Sequence, residues 1–429
     1  MIGRALVGNV HIIGAGVAGL AAAVRLAHLG PRLTVYEAAP RAGGRCRSYH
    51  DPQLDCVIDN GNHLLLSGNT AAMAYIAAIG ASDRLSGPAE AAFPFIDVRT
   101  GARWTLRPGN GAIPWWIFDR ARRVPGTRAL EYFSALRLLN AGADATVSDC
   151  VGHDGTLFRN FWEPLAVAAL NESAAEGAAA LMGPVLRETF LKGSAACRPL
   201  IARYSLADTL VDPAVKLLTD ADVNVRFGTR VRGMVFENGR VAALDVDGIS
   251  IAVAANERVI LAVPAWVAGT LVPELAPPPA GQAIVNIHYR LPAPATGAEP
   301  RIIGLVGSSA QWVFARGDMA SVTVSAADDI VDQEADDIAR RCWPEVAAAL
   351  QIAANVQPPS RVVKEKRATF AQTPAAIKLR LSARTPYANL LLAGDWTATG
   401  LPATIEGAIR SGFTAAQMAA GQMNSAKAA

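Results

Sequence analysis

The alternation of apolar and polar positions is clearest near the start of the chain. Val10-His11-Ile12-Ile13 is a short β-prone run, followed by Gly14-Ala15-Gly16-Val17-Ala18-Gly19. An alanine-rich helical stretch then runs to about Leu29, where Gly30 acts as a stop signal. Leu33-Thr34-Val35-Tyr36 reads as a second strand, ending at Glu37. Strand, glycine turn, helix and strand in this order predict a βαβ unit. Farther along, Asn224–Val231 leads into a hairpin-like stretch with turns at Asn238-Gly239 and Asp247-Gly248. That stretch closes on Val259-Ile260-Leu261-Ala262-Val263-Pro264. Leu390-Leu391-Leu392 reads as a buried strand ending in Ala393-Gly394-Asp395, and Pro402 and Thr404 suit the start of a last helix. The acidic run Asp328, Asp329, Asp332, Glu334, Asp336 and Asp337 precedes a helix ending near Leu350. It reads as a solvated helix start and not as a metal site.

Composition narrows the class. The 429 residues are 51% hydrophobic and only 18% charged, which excludes intrinsic disorder. The formal net charge of +3, from 40 basic and 37 acidic residues, gives no support for nucleic-acid binding. The five cysteines, Cys46, Cys56, Cys150, Cys197 and Cys342, are scattered without a C-x-x-C pair. They read as reduced structural thiols of a cytosolic protein, with no zinc site. The stretch Ala5–Val24 approaches the roughly 20 apolar residues that span a bilayer. Gly8, Asn9, His11, Gly14, Gly16 and Gly19 interrupt it, so neither a transmembrane helix nor a signal peptide is expected.

The glycines carry chemistry. Gly14 permits a tight turn, Gly16 lets a pyrophosphate approach the backbone, and Gly19 lets the helix pack on the strand. The helix N-terminus offers free N–H groups to the phosphates. Glu37, followed by Ala38, stands 18 residues after Gly19 and can accept the ribose hydroxyls of an adenosine. An acid there disfavours NADP. The motif alone leaves FAD and NAD both open.

The following residues separate them. Glu37, Arg41 and Gly43-Gly44-Arg45 resemble the E-x-x-x-R-x-G-G-R element of the flavin amine oxidase superfamily. Gly394-Asp395, with Gly400-Leu401-Pro402-Ala403-Thr404-Ile405-Glu406-Gly407-Ala408, is similar to its second flavin motif. The resemblance implies FAD. Gly44 and Arg45 would lie along the cofactor, Asp395 on the ribityl chain, and Thr404 and Ile405 at the flavin pyrimidine edge. The backbone of Val231 would lie on adenine.

Further blocks are more specific. They are Asp59-Asn60-Gly61-Asn62-His63, Trp162-Glu163-Pro164-Leu165 with Ala169-Leu170-Asn171, Arg367-Ala368-Thr369-Phe370 and Gly394-Asp395-Trp396-Thr397. Together they resemble the hydroxysqualene dehydroxylase family, also called squalene-associated FAD-dependent desaturases, from Val10 to about Ala416. Asn62 and Glu172 depart from the family pattern, which usually has Gln and a small hydroxyl residue there. The resemblance implies reduction of hydroxysqualene to squalene, with hydride from reduced FAD to an allylic cation. The alternative is a carotenoid or apocarotenoid desaturase that oxidises a polyene at the same flavin site. An amine oxidase ranks lower, for want of an amine-specific aromatic pair, and a flavin-containing scaffold without turnover is a further class. Because hydroxide is a poor leaving group, a proton donor is required. His63 is the first candidate, with Asp59 and Glu172 behind it. Trp396 is placed nearest the flavin. Phe93, Phe95, Trp104, Trp115, Trp116, Phe161, Trp162, Trp312 and Phe314 are candidates for a substrate tunnel.

The expected architecture is α/β. A Rossmann-like FAD-binding domain, residues 1–80, 215–265 and 385–429, carries an inserted α+β substrate domain, residues 81–214 and 266–384. Trp115-Trp116-Ile117-Phe118 precedes Arg120, Arg122, Arg123 and Arg128, a pattern suited to anionic lipid. It is equally that of a solvated basic helix packed by its aromatics. A cytoplasmic protein peripheral to the inner face of the membrane is expected, in contact with squalene-synthase-like prenyltransferases.

Overall fold

The computed structural model describes residues 8–111, 113–295 and 300–428. Residues 5–7 of the apolar stretch, and the first seven of the expected nucleotide domain, lie outside them. The rest of that stretch is no membrane span. It is a buried strand, Asn9–Ile13, a glycine turn, and the front of helix Val17–Ala27. Among the described residues no helix is long and apolar enough to cross a membrane.

Five parallel strands form the first sheet, in the order Asn224–Arg226, Arg32–Tyr36, Asn9–Ile13, Arg258–Leu261 and Leu390–Leu392. Their residues are apolar on both faces because both are covered, as parallel sheets require. On one side helix Val17–Ala27 packs against the last helix, Ile405–Ala428. Small residues let the two approach closely: a Cβ on Gly412 would stand 2.2 Å from the Ala18 carbonyl oxygen. The other side is closed by the antiparallel meander Val231–Glu237, Arg240–Val246 and Ile249–Ala252. Its turns place Asn238, Gly239, Asp247 and Gly248 at positive φ, as the sequence predicts for hairpins.

The second large sheet has seven strands, in the order Ser360–Glu365, Ile284–Arg290, Met319–Val324, Trp312–Arg316, Arg301–Val306, Phe93–Asp97 and Arg103–Leu106. Only Arg301–Val306 and Phe93–Asp97 pair in parallel. Side chains alternate strictly in its centre. Val285, Ile287, Tyr289, Ala320, Val322 and Val324 pack under helix Ala335–Leu350. Asn286, His288, Ser321 and Thr323 form the opposite face, which is polar and yet buried. A third core, rich in aromatics, fills the helical region between residues 91 and 197.

One expected boundary moves. A cut between residues 214 and 215 would divide the helical stretch Ala207–Asp220. Leu206, Leu210, Val211 and Ala214 pack into the nucleotide core beside helix Val17–Ala27, so this segment belongs with the first sheet.

Candidate FAD and substrate site

The glycine turn has the geometry its chemistry needs. Gly14 sits at φ +104°, and a Cβ there would lie 2.5 Å from the Ala262 carbonyl oxygen. A Cβ on Gly19 would lie 1.9 Å from the Gly14 carbonyl oxygen, so this position fixes the helix against the turn. Gly16 is different: a Cβ there meets nothing within 4 Å. That open space lies in front of the helix N-terminus, where a diphosphate is favoured. Gly43 donates its N–H to Ala15 O at 2.8 Å, and Gly44 lies against Gly16. The two glycine loops are therefore one surface.

Glu37 is anchored at the end of its strand. Its carboxylate accepts N–H bonds from Ala15 and Ala39, both 2.8 Å, leaving further lone pairs free on each oxygen. Its own N–H donates to Arg226 O at 2.9 Å, and Thr229 donates to Glu37 O at 2.8 Å, which brings Val231 into the same corner. Ala38 is exposed beside it. From the far end of the chain, Asp395 accepts from Arg45 at 2.6 Å. Arg45 also donates to Ala368 O. Thr404 caps the last helix, its hydroxyl accepting the Gly407 N–H at 3.1 Å, and Ile405 is buried behind it. Gly394 donates to Ser411 Oγ at 2.7 Å.

Two residues that shape this loop are absent from the sequence reading. Arg380 donates to the carbonyls of Asp395 and Leu401, at 2.9 and 2.8 Å, and to that of Thr397. Burial pulls its guanidinium down to about 10, against the pull of Asp395, so it stays cationic at neutral pH. Gln372 is fully buried and accepts the Ala403 N–H at 2.7 Å, while its amide donates to Leu170 O. No local motif marks a side chain that serves distant backbone.

The polar face of the second sheet holds the Asp59–His63 segment. Asp59 is buried and receives Arg316 at 2.8 Å, Ser48 Oγ at 2.6 Å and the Leu206 N–H at 2.9 Å. His288 bonds Ser321 Oγ at 2.7 Å and the Asp59 carbonyl at 3.0 Å. Asn62 donates to Thr323 at 3.1 Å, and Thr323 to Asn286 at 2.9 Å. Asn60 donates to Glu365 at 3.3 Å, and its Oδ1 is buried with no partner among the described residues. The alternating pattern Ile284-Val-Asn-Ile-His-Tyr-Arg was the available signal for this face.

Two expectations change here. Trp396 is 2% exposed and packs with Val231, Leu261 and Phe370. Its indole N–H is spent on Val263 O at 2.8 Å, so it is packed as a core residue beside Asp395. His63 makes no hydrogen bond among the described residues. Burial lowers its imidazole to about 4, outweighing the pull of Asp59, so at pH 7 the ring is neutral and the proton-donating imidazolium is scarcely populated. Asp59 is fully engaged in structure. Glu172 moves the other way: burial raises its carboxyl, opposed by bonds from Gln282 at 2.7 Å and Gln372 at 3.3 Å.

Most aromatic tunnel candidates are packed core. Phe93, Phe95, Phe161, Trp162 and Phe314 are buried, and Phe95 stacks on Trp104 and meets Trp312 edge-on. No His/Cys/Asp/Glu group that could hold a metal occurs among the described residues.

Comparison with known proteins fits this geometry. The flavin containing amine oxidoreductase family model matches residues 17–419. A hydroxysqualene dehydroxylase of Sinorhizobium fredii is 46% identical over 416 residues, 97% of this chain and 99% of that one. One of Rhodopseudomonas palustris is 46% identical over 411 residues, 96% of this chain and 98% of that one. The chain belongs to the hydroxysqualene dehydroxylase family. The fold of this family member is also that of cyclohexylamine oxidase from Brevibacterium oxydans, at TM-score 0.70 and 16% identity over 97% of this chain and 99% of that one.

Family membership makes the chain an FAD-dependent oxidoreductase. Its own residues fit the cofactor: the space before Gly16 suits a diphosphate, Glu37 a ribose, and the Arg45–Asp395 pair a polyol chain with adjoining phosphate.

Proposed function

We propose that this chain catalyses the FAD-dependent reductive dehydroxylation of hydroxysqualene to squalene. The observation that carries the reading is its near-full-length similarity, at 46% identity, to relatives named for that reaction. The division into a FAD-binding domain, about 1–80, 206–265 and 385–429, and a substrate domain, about 81–205 and 266–384, is part of the proposal. So are the cofactor roles given above to Gly14, Gly16, Gly19, Glu37, Ala38, Gly44, Arg45, Val231, Gly394, Asp395, Thr404 and Ile405.

The reaction replaces a C–O bond by a C–H bond. When bound, reduced FAD supplies the hydride. The hydroxyl leaves as water and so consumes one proton. The carbon it leaves is allylic, and the resulting cation is stabilised by the neighbouring alkene. The chain has to deliver that proton and exclude water. We place the proton on Glu172 in preference to His63, because burial favours the neutral acid in the first and the neutral base in the second. Glu172 is also tied through Gln372 to Ala403, at the start of the last helix.

The substrate is a C30 isoprenoid alcohol, which partitions into lipid. We therefore place the protein on the inner face of the cell membrane, next to prenyltransferases resembling squalene synthase. The deciding experiment is anaerobic mixing of the reduced, FAD-loaded protein with hydroxysqualene, followed by mass spectrometry. Squalene with oxidised flavin is expected. Unconverted alcohol with flavin still reduced would overturn the reading, and reduction of the oxidised, FAD-loaded protein by phytoene in a parallel mixture would assign a desaturase. Glu172→Gln should abolish turnover with FAD retained, whereas His63→Gln should keep it.

A further inference from the structure

Exposed large apolar side chains are scattered singly over most of this surface, as on any soluble protein. The segment 113–137 differs. Ile113, Trp115, Phe118, Leu130, Phe133 and Leu136 are all exposed, Leu130 at 75% and Trp115 at 68%. Ile113 lies just before the first of two short turns, Trp115–Phe118 and Ala129–Ser134, and the others stand on these and on the helix Ala135–Leu139 that continues the second. Leu130, Phe133 and Leu136 recur every third residue, which puts them on one face of these turns.

The turns are clamped from below. Trp116, expected on the lipid side with Trp115, is instead buried and meets the Tyr132 ring edge-on at 5.6 Å. The Tyr132 hydroxyl accepts the Val124 N–H at 2.9 Å, and Arg123 donates to Ile117 O at 2.8 Å. Trp115 and Phe118 lie 6.1 Å apart on the outside. Apolar rings are therefore held out into solvent by a rigid base, where a mobile loop would let them fold back.

Charge decides what covers them. Arg120, Arg128 and Arg137 are exposed in the same segment, and none has an ion pair among the described residues. Of the acids there, Asp119 is engaged with Arg122 at 3.5 Å, and the exposed Glu131 accepts the Arg128 backbone N–H at 3.2 Å, leaving the segment net basic. A second copy related by a two-fold axis would set unpaired arginines against each other. At an anionic bilayer, aromatic rings settle at headgroup depth and cations meet lipid phosphates.

We propose that this face docks the protein on an anionic phospholipid bilayer. Trp115, Phe118, Leu130 and Phe133 enter the acyl boundary, and Arg120, Arg128 and Arg137 lie on the phosphates. The proposal deepens the substrate reading and rests on it in one respect: a C30 alcohol would be drawn from the same bilayer.

The test is flotation of the full-length, FAD-loaded protein with vesicles of phosphatidylcholine alone or with phosphatidylglycerol. Wild type should float with the anionic vesicles and weakly with the neutral ones. The combined variant R120Q/R128Q/R137Q should lose about a hundredfold in partition onto anionic vesicles, taking roughly 1 kcal/mol per basic residue. The combined variant W115S/F118S/L130S should lose binding to both. Retained flavin absorbance shows that each is folded. Failure of wild type to float, or undiminished binding by either variant, would overturn the proposal. So would a dimer that the apolar variant splits without any lipid binding, which would assign the face to a second copy. Turnover of detergent-dispersed hydroxysqualene separates the two readings. Turnover without vesicle binding removes only the docking face, and vesicle binding without turnover removes only the activity.

Discussion

The two halves of the molecule assemble their buried polar groups in opposite ways. In the nucleotide half, Glu37 is held by N–H groups of its own turn and of the glycine loop beside it. Among the side chains assigned to the cofactor, the Arg45–Asp395 pair joins distant segments, and each partner sits in a recognisable glycine motif. Where the substrate half meets the nucleotide half, His288, Arg316, Ser321 and Thr323, on three strands that no motif marks, gather around the Asp59–His63 block. The first arrangement is local chain geometry. The second exists only once the seven-stranded sheet has formed and its polar face has been covered.

The comparison can be broken at its hardest point by Gly19→Ala. The new Cβ would overlap the Gly14 carbonyl at 1.9 Å. The expected result is loss of the folded protein, beyond the roughly 4 to 5 kcal/mol that marks exceptional substitutions, read as insoluble expression or a collapsed unfolding midpoint.

Next in size is Arg316→Ala, which strands the Asp59 carboxylate. Breaking a buried pair from one side costs about 3 to 5 kcal/mol. Chemical denaturation should show this, with the FAD affinity of the folded fraction much less affected. A large loss of FAD affinity with unchanged stability would contradict the division between the halves.

Acid should act first where the Asp59–His63 segment meets the polar face of the seven-stranded sheet. Burial lowers both His63 and His288 from 6.5 to about 4. The unfolded chain binds these protons more readily, so stability is intact above about pH 6.5 and falls as pH drops toward 4. The loss is on the order of 3 kcal/mol per ring once pH is below the lower value. His288→Gln should flatten this acid slope, whatever it does to stability at pH 7.

The smallest expected effect on stability is the most specific for the cofactor. Gly16→Ala puts a methyl group into open space, so unfolding should change by about 0.5 kcal/mol or less. The same methyl occupies the diphosphate approach, and the purified protein should carry little FAD. A normal flavin content would mean that the space before Gly16 is not the phosphate seat.

Much of the nucleotide half was legible in advance. The strand–turn–helix at Gly14–Gly19, the hairpin turns at Asn238 and Asp247, and the strand at Leu390–Leu392 all follow from short-range pattern. Less was legible elsewhere. Trp396 stands next to Asp395 in sequence, yet its ring turns into the core and bonds Val263. His63 sits in a family block, and its burial, which lowers its basicity, depends on elements far along the chain. Arg380 and Gln372 serve loops 15 or more residues away, so nothing beside them announces a role. Trp115 and Trp116 are adjacent and alike, and packing against Tyr132 and Gly109, from elsewhere in the chain, buries the second.

By itself the sequence determined the parallel nucleotide sheet, its glycine surface and the family. Those depend on which φ a residue tolerates and on whether a Cβ can be present, and both are properties of a few consecutive residues. The tertiary structure alone decided which polar groups are buried, which way burial shifts their hold on a proton, and which apolar rings remain in solvent. Burial is set by the elements that arrive from elsewhere in the chain, and pKa values and surface chemistry follow from burial.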